Sequence, residues 1–269
     1  MTDLLPPWLL LTYVALLGSI VGSYLNVLIW RLPREQSTAR PRSACPSCGH
    51  AIRWHDNVPV LSWLVLRGRC RDCRAPISVR YPLVEAGVAS LFVALVVLLG
   101  PRLSVLSLVA VLALAGGGVA MSLIDLEHHR LPDKLTAATS VVVALPIVAD
   151  AVLTGSWSRL LIAAAAAAAL FVLYLGAAVL YPGGMGGGDI KLAPLLGFVL
   201  GWFGLSYAVV GAFAPFLLGV VAVLVLAVRG RVRKGSGVPF GPFMLAGTFA
   251  ALLWAPTVAD WYLGVAGLA

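Results

Sequence analysis

Residues 103–134 read LSVLSLVAVLALAGGGVAMSLIDLEHHRLPDK. Leu103 to Ile124 carry no charge. A helix needs roughly 20 predominantly apolar residues to cross a bilayer. Asp125 ends the run with no polar buffer before it, and the apolar pattern resumes at Leu135. The stretch therefore reads as a membrane span, a carboxylate at its end, a polar loop and the start of another span. Pro132 fixes the start of the second helix, and Asp133 is placed to satisfy free amides there, a structural role. Glu127, His128 and His129 offer metal-ligand chemistry, but adjacent histidines point in different directions and make a poor first reading for one metal.

The same pattern extends both ways along the chain. Of 269 residues 61% are hydrophobic and 11% charged, where a soluble domain carries about a quarter charged. That deficit excludes an ordinary soluble enzyme, a disordered tail and a charged coiled coil. Apolar spans fall at residues 8–30, 84–100, 103–124, 135–153, 159–181, 190–203, 205–228 and 240–262. The sixth is short, and its boundary with the seventh is hard to place because residues 192–228 carry no charge. The fold class is an all-α polytopic membrane protein of about eight transmembrane helices. The first segment has Asp3 in place of a basic leader and no clear cleavage site, so it is expected to be retained. Gly18 and Gly22, four residues apart, and the alanine run 163–169 suggest close helix contacts.

Charge sets the orientation. If residues 31–80 face the cytoplasm, the loops on that side hold 17 of the 19 Lys and Arg, leaving Arg102 and Arg159 opposite. This is a strong positive-inside bias, and with eight spans it puts both termini outside.

Residues 31–80 differ from the rest, with ten arginines, three acids and all four cysteines. Cys45 and Cys48 form one CxxC knuckle, and Cys70 and Cys73 a second, with 21 residues between the two. Two such knuckles can place four thiolates around zinc, which predicts a small zinc-ribbon-like domain. A site closed by four cysteines is structural, and a cytoplasmic setting keeps the thiols reduced. His50 and His55 lie nearby but read as solvated loop residues. The arginines are explained by anionic membrane lipid, so no nucleic-acid partner is expected.

Asp189 follows a glycine-rich stretch, GGMGGGD at 183–189, and begins the sixth span. Gly183, Gly184, Gly186, Gly187 and Gly188 remove bulk just before the carboxylate, allowing unusual backbone angles and close approach of another chain. In this topology Asp125 and Asp189 lie at the same, cytoplasmic face. Two carboxylates brought together can share a proton: one activates water, while the other polarises a carbonyl and later protonates the leaving amine. This is aspartic-protease chemistry.

Several ordered stretches resemble one family. GSYLNVLIWRLP (22–33), the cysteine segment through PISVRYPLVE, IDLEHHRLPD, GGGD with the following IKLAPLLG, and VPFGPFMLAG (238–247) are similar to the bacterial prepilin peptidases, or type IV leader peptidases. These are GxGD-type membrane aspartic proteases. The resemblance implies that Asp125 and Asp189 are catalytic and that Gly186 and Gly188 form the motif's glycine loop. It divides the chain into a first transmembrane helix (residues 1–30), a cytoplasmic four-cysteine zinc-binding domain (31–82) and a transmembrane aspartic peptidase domain (83–269). It implies cleavage of a basic leader from prepilins or pseudopilins, after a glycine, at the cytoplasmic face of the bacterial inner membrane. The pilus or type II secretion assembly machinery would be a partner. With the four cysteines present, it further implies methylation of the new N-terminus by S-adenosylmethionine. No fingerprint identifies that cofactor's ligands, and the loop that includes Glu85 is the first place to look. A GxGD protease for another membrane substrate, and a non-enzymatic transporter or assembly scaffold, are the competing readings.

Overall fold

The computed structural model describes residues 6–181, 185–230 and 238–267. Gly183 and Gly184 of the glycine stretch and most of the basic loop at 229–237 lie outside the described residues. Outside the cysteine-rich segment, which is mostly turns around the short α2 (Leu61–Val65), the described chain is helical: α1 (Pro7–Arg31), α3 (Arg80–Leu99), α4 (Val105–His128), α5 (Asp133–Thr154), α6 (Trp157–Leu180), α7 (Gly187–Phe203), α8 (Leu205–Val228) and α9 (Gly241–Val265). Among the described residues seven helices are long and apolar enough to cross a membrane, namely all of these but α2 and α7. The protein is thus an all-α, multi-pass membrane protein with a cysteine-rich segment between its first two spans. With 17 residues, α7 reaches only about 25 Å at 1.5 Å per residue.

The chain falls into two compact units, residues 1–103 with 112–120, and residues 104–111 with 121–269. In the first unit α1 and α3 run antiparallel at close range. A Cβ at Gly18 would lie 2.7 Å from the Ala89 Cα, and one at Gly22 2.7 Å from the Glu85 Cα. The expected glycine contact is thus a backbone-to-backbone one, as small residues permit between membrane helices. Four residues on, in the same register, Asn26 Nδ2 donates to the Tyr81 carbonyl at 3.1 Å. Substituting Gly22 with alanine is expected to destabilise the protein by about 1–3 kcal/mol through overpacking. Gly87→Ala on α3, where a Cβ meets nothing within 4 Å, is the matched control. Thermal unfolding in one detergent should separate the two, with only Gly22→Ala lowering the midpoint.

The second unit holds the remaining spans. The alanine run on α6 is a packing face for α7, with Ala163 wholly buried and Ala166 nearly so. A Cβ at Gly197 would meet the Ala167 Cα at 2.8 Å, and one at Gly201 the Ala163 Cα at 2.8 Å. The helices therefore approach as closely as backbones allow, which fixes α7 along most of its length. At one end of this unit Asp150 on α5 accepts from the Ser107 hydroxyl at 2.7 Å and from that of Ser104. Trp202 Nε1 on α7 donates to Ser107 Oγ at 2.8 Å. A carboxylate with these donors is satisfied without water, and it joins α4, α5 and α7. Asp125 lies 18 residues along α4 from Ser107, about 27 Å away, so this cluster and the candidate site occupy opposite ends of α4.

Candidate active site

Asp125 sits in the last turn of α4, which ends at His129 in the left-handed region (φ 50°) with its N–H bonded to the Asp125 carbonyl at 2.8 Å. Asp189 sits in the first turn of α7. Both carboxylates are buried, each about 6% exposed, so neither is a solvated interface residue. Asp125 Oδ2 accepts from the Gly241 N–H at the start of α9, at 3.2 Å. Asp189 Oδ2 accepts from the Gly186 N–H at 3.3 Å, closing the first turn of its own helix.

Leu131, on the connection from α4 to α5, borders a glycine beside each carboxylate. A Cβ at Gly188 would fall 2.7 Å from the Leu131 Cβ, and one at Gly241 3.2 Å from its Cδ1 and 2.8 Å from Asp125 Oδ2. The glycine next to Asp189 and the glycine bonded to Asp125 thus share a single neighbour. The described glycines of the GGGD stretch lack the special backbone angles the sequence suggests: Gly186 is extended at φ −73°, and Gly187 and Gly188 are helical. What Gly188 supplies is room for Leu131, whereas a Cβ at Gly187 would meet no described residue within 4 Å.

Asp133 differs from the capping expectation. Pro132 takes the cap position of α5 and Asp133 makes no cap bond. Its carboxylate instead receives two hydrogen bonds from Lys191 Nζ on α7, at 2.8 and 2.7 Å. The pair is exposed and worth little in stability, but it ties the start of α5 to the second turn of α7. Sequence reading also missed an aromatic group. Tyr174 on α6, nearly fully buried, stacks on Phe216 of α8 with centroids 5.7 Å apart, and Phe216 meets Phe240 at 5.3 Å. Phe240 directly precedes Gly241, so the stack holds the start of α9, where the N–H to Asp125 originates. The signal lay in VPFGPFMLAG, whose Phe-Gly pair reads as a turn without the partners being known.

The cysteine segment belongs to the first unit. Its knuckles repeat one pattern. The Cys45 N–H bonds to the His50 carbonyl and the Cys70 N–H to the Ala75 carbonyl, at 3.0 and 2.8 Å. Gly49 and Arg74, each following the second cysteine of its knuckle, have φ of 71° and 62°. Isolated β-bridges flank both, Ala44 with Ala51 and Arg69 with Pro76. The four Sγ atoms lie within 4.8 Å of one another and none is in a disulfide. Cys45 and Cys73 Sγ are 3.8 Å apart, the edge of a tetrahedron with metal–sulfur bonds of about 2.3 Å. Donor type, number and spacing thus fit a tetrahedral thiophilic metal ion. N–H groups of Cys48 and Ser47 lower the Cys45 thiol to about 6. Arg71 clamps Asp56 through both Nε and a terminal nitrogen and holds its carboxyl below the usual range. His50 and His55 are not in the cluster.

Glu85 on α3 is buried, and its Oε2 accepts from the Val60 N–H at 2.7 Å. Val60 sits at φ 62°, ψ −51°, with Leu61 N bonded to the Pro59 carbonyl at 2.6 Å. That is a γ-turn, a strained geometry for a β-branched residue. Glu85 therefore anchors a strained turn of the cysteine segment.

Fold and site together define a polytopic helical membrane protein with a carboxylate pair at the ends of two helices and a four-cysteine segment outside them. Comparison with known proteins narrows this. Residues 16–99 match the family model described as the bacterial peptidase A24 N-terminal domain, and residues 112–228 that of the type IV leader peptidase family. The chain is 37% identical to a prepilin leader peptidase/N-methyltransferase of Burkholderia pseudomallei (strain 1026b), over 93% of this chain and 87% of that one. It is 38% identical to the protein of that name from Aeromonas hydrophila, over 96% and 95% of the two chains, and 33% identical to that of Pseudomonas aeruginosa, over 94% and 93%. No solved structure matches the chain. The chain belongs to the type IV leader peptidase family, and that membership supports an aspartic protease.

Proposed function

We propose that this protein is a membrane aspartic endopeptidase that removes the leader from type IV prepilins or pseudopilins, cutting after a glycine at the cytoplasmic face. The observation that carries the reading is the buried pair Asp125 and Asp189, presented from opposite helix ends beside glycines. One carboxylate takes a proton from water, which attacks the scissile carbonyl. The other, protonated, hydrogen-bonds that carbonyl oxygen and then gives its proton to the leaving amine as the C–N bond breaks. Burial keeps bulk water out and strengthens each interaction. The Gly241 and Gly186 N–H groups orient the two carboxylates.

The orientation follows from charge. With α7 counted as a crossing helix despite its length, 17 of the 19 basic residues face the cytoplasm and both termini lie outside, in the inner membrane. Asp125, Asp189 and the cysteine segment then share the cytoplasmic side, where a substrate emerging from an apolar helix would meet them. Cys45, Cys48, Cys70 and Cys73 would hold zinc, which stabilises the segment and has no open position for chemistry.

N-methylation of the new N-terminus, with S-adenosylmethionine as donor, is the second activity proposed. It is supported by what the relatives are named for and by the four cysteines. Glu85 is a weaker candidate for binding that cofactor, because Oε2 is already committed to Val60. Among the described residues no set fits that cofactor.

The test is intact-mass measurement of a prepilin incubated with the purified protein in lipid, with and without S-adenosylmethionine. Leader loss is expected in both, and a further mass gain of one methylene only with the donor. An uncut prepilin in the presence of folded protein overturns the reading.

A further inference from the structure

The carboxylates account for bond breaking but not for which residue may stand at the broken bond. Both glycines that border the pair are closed off by the same side chain. The three atoms nearest a Cβ at Gly188 all belong to Leu131, and those nearest one at Gly241 belong to Asp125 and Leu131. Among the described residues, none lies within 4 Å of a Cβ at Gly187. Leu131 is thus the described side chain that walls the site.

Leu131 is held firmly for a loop residue. It precedes Pro132, which biases its backbone away from the helical region. His129 caps α4 two residues before it, and α5 begins two residues after it, at Asp133. Asp133 is tied in turn to Lys191 on α7. Leu131 is nevertheless only partly buried, so one face of the side chain is free to meet another molecule.

We infer that Leu131 is the gauge of the substrate residue whose carbonyl is cleaved, and that it admits a residue with no side chain. This rests on the proposed peptidase reading and adds to it the residue that sets specificity. For attack, the scissile carbonyl must sit between the carboxylates. The α-carbon attached to it then lies against the wall, and a side chain there meets the leucine. The exclusion is steric, so shortening position 131 relaxes it. A purely packing role for Leu131 would lower cleavage of all substrates alike and leave their ratio unchanged.

The experiment is therefore a ratio. Two prepilins, with glycine or alanine before the cleaved bond, are given to wild type, Leu131→Ala and Leu131→Val in the same lipid. Wild type should strongly prefer glycine. Leu131→Ala should raise the alanine-to-glycine ratio of kcat/KM by roughly tenfold or more, the range one methylene commands in an apolar pocket. Leu131→Val should raise it by less, and it supplies the reading if Leu131→Ala fails to fold. Ratios that stay at the wild-type value while the glycine substrate is still cut overturn the inference and leave the peptidase standing. Wild type that cuts neither substrate overturns the proposed function and this inference with it.

Discussion

Asp125→Asn and Asp189→Asn should each abolish leader cleavage while leaving a folded protein. The amide is nearly isosteric with the carboxylate. Its oxygen can still accept from the Gly241 N–H in one case and from the Gly186 N–H in the other, the bonds now made at 3.2 and 3.3 Å. Packing around Leu131 and Gly241 is unaltered. What is lost is the ability to take up and release a proton. A positioned acid or base contributes about 10²–10⁴-fold, and residues that act as one unit lose nearly everything when either is removed. Each single variant should therefore fall below detection by intact mass, and the double variant should be no worse than either single. Retention volume and thermal midpoint should stay near those of wild type. Cleavage by folded Asp189→Asn within about tenfold of wild type would remove Asp189 from proton transfer.

Much of this arrangement is written locally. The spans follow from apolar runs of membrane-crossing length, and the two CxxC knuckles from their spacing alone. The alanine run 163–169 reads as a packing face because small side chains in a membrane helix have few other uses. The α7 glycines Gly197 and Gly201 lie against it. Other features depend on partners distant in sequence. The Asp125–Gly241 bond joins residues 116 positions apart, and no local pattern announces it. The glycines before Asp189 suggest backbone freedom. Gly188 instead has ordinary helical backbone, and its purpose is visible only once Leu131 is seen against it. Asp133 looks like a helix cap because it follows a proline at a helix start, yet Lys191 claims it. Asp150 gives no signal at all, and Glu85 reads only as a member of a loop to search for cofactor ligands: a single acid in an apolar helix acquires its meaning only when Ser104 and Ser107, or the Val60 N–H, appear beside it. The rule that emerges is physical. Apolar period and ligand spacing are properties of a segment, whereas satisfaction of a buried polar group is a property of the assembled fold.

The second large effect concerns the cysteine segment. The purified protein should contain one zinc per chain by elemental analysis, and Cys70→Ser should reduce this to background. Four-thiolate sites in small zinc-bound segments contribute apparent free energies of about 10–16 kcal/mol, which is folding energy for the segment. Around the knuckles the alternatives are thin. The contacts beyond the cysteines include the exposed Arg53–Asp72 pair, the Arg71 clamp on Asp56, Ser62 between the Val58 N–H and the His55 carbonyl, Trp63 Nε1 donating to the Ile77 carbonyl and the Glu85 bond to Val60. Loss of the metal should therefore unfold residues between the first two spans without unfolding the spans, since Gly18 and Gly22 hold α1 to α3 independently. Limited proteolysis should read this as new cleavage between residues 36 and 78 in Cys70→Ser and in chelated wild type. The carboxylate pair belongs to the other compact unit, so peptide cleavage should fall much less than methyl transfer. Equal loss of both activities would mean that the cysteine segment shapes the peptidase site itself. Full protection from protease in metal-free protein would mean that the cysteines pack the segment without zinc.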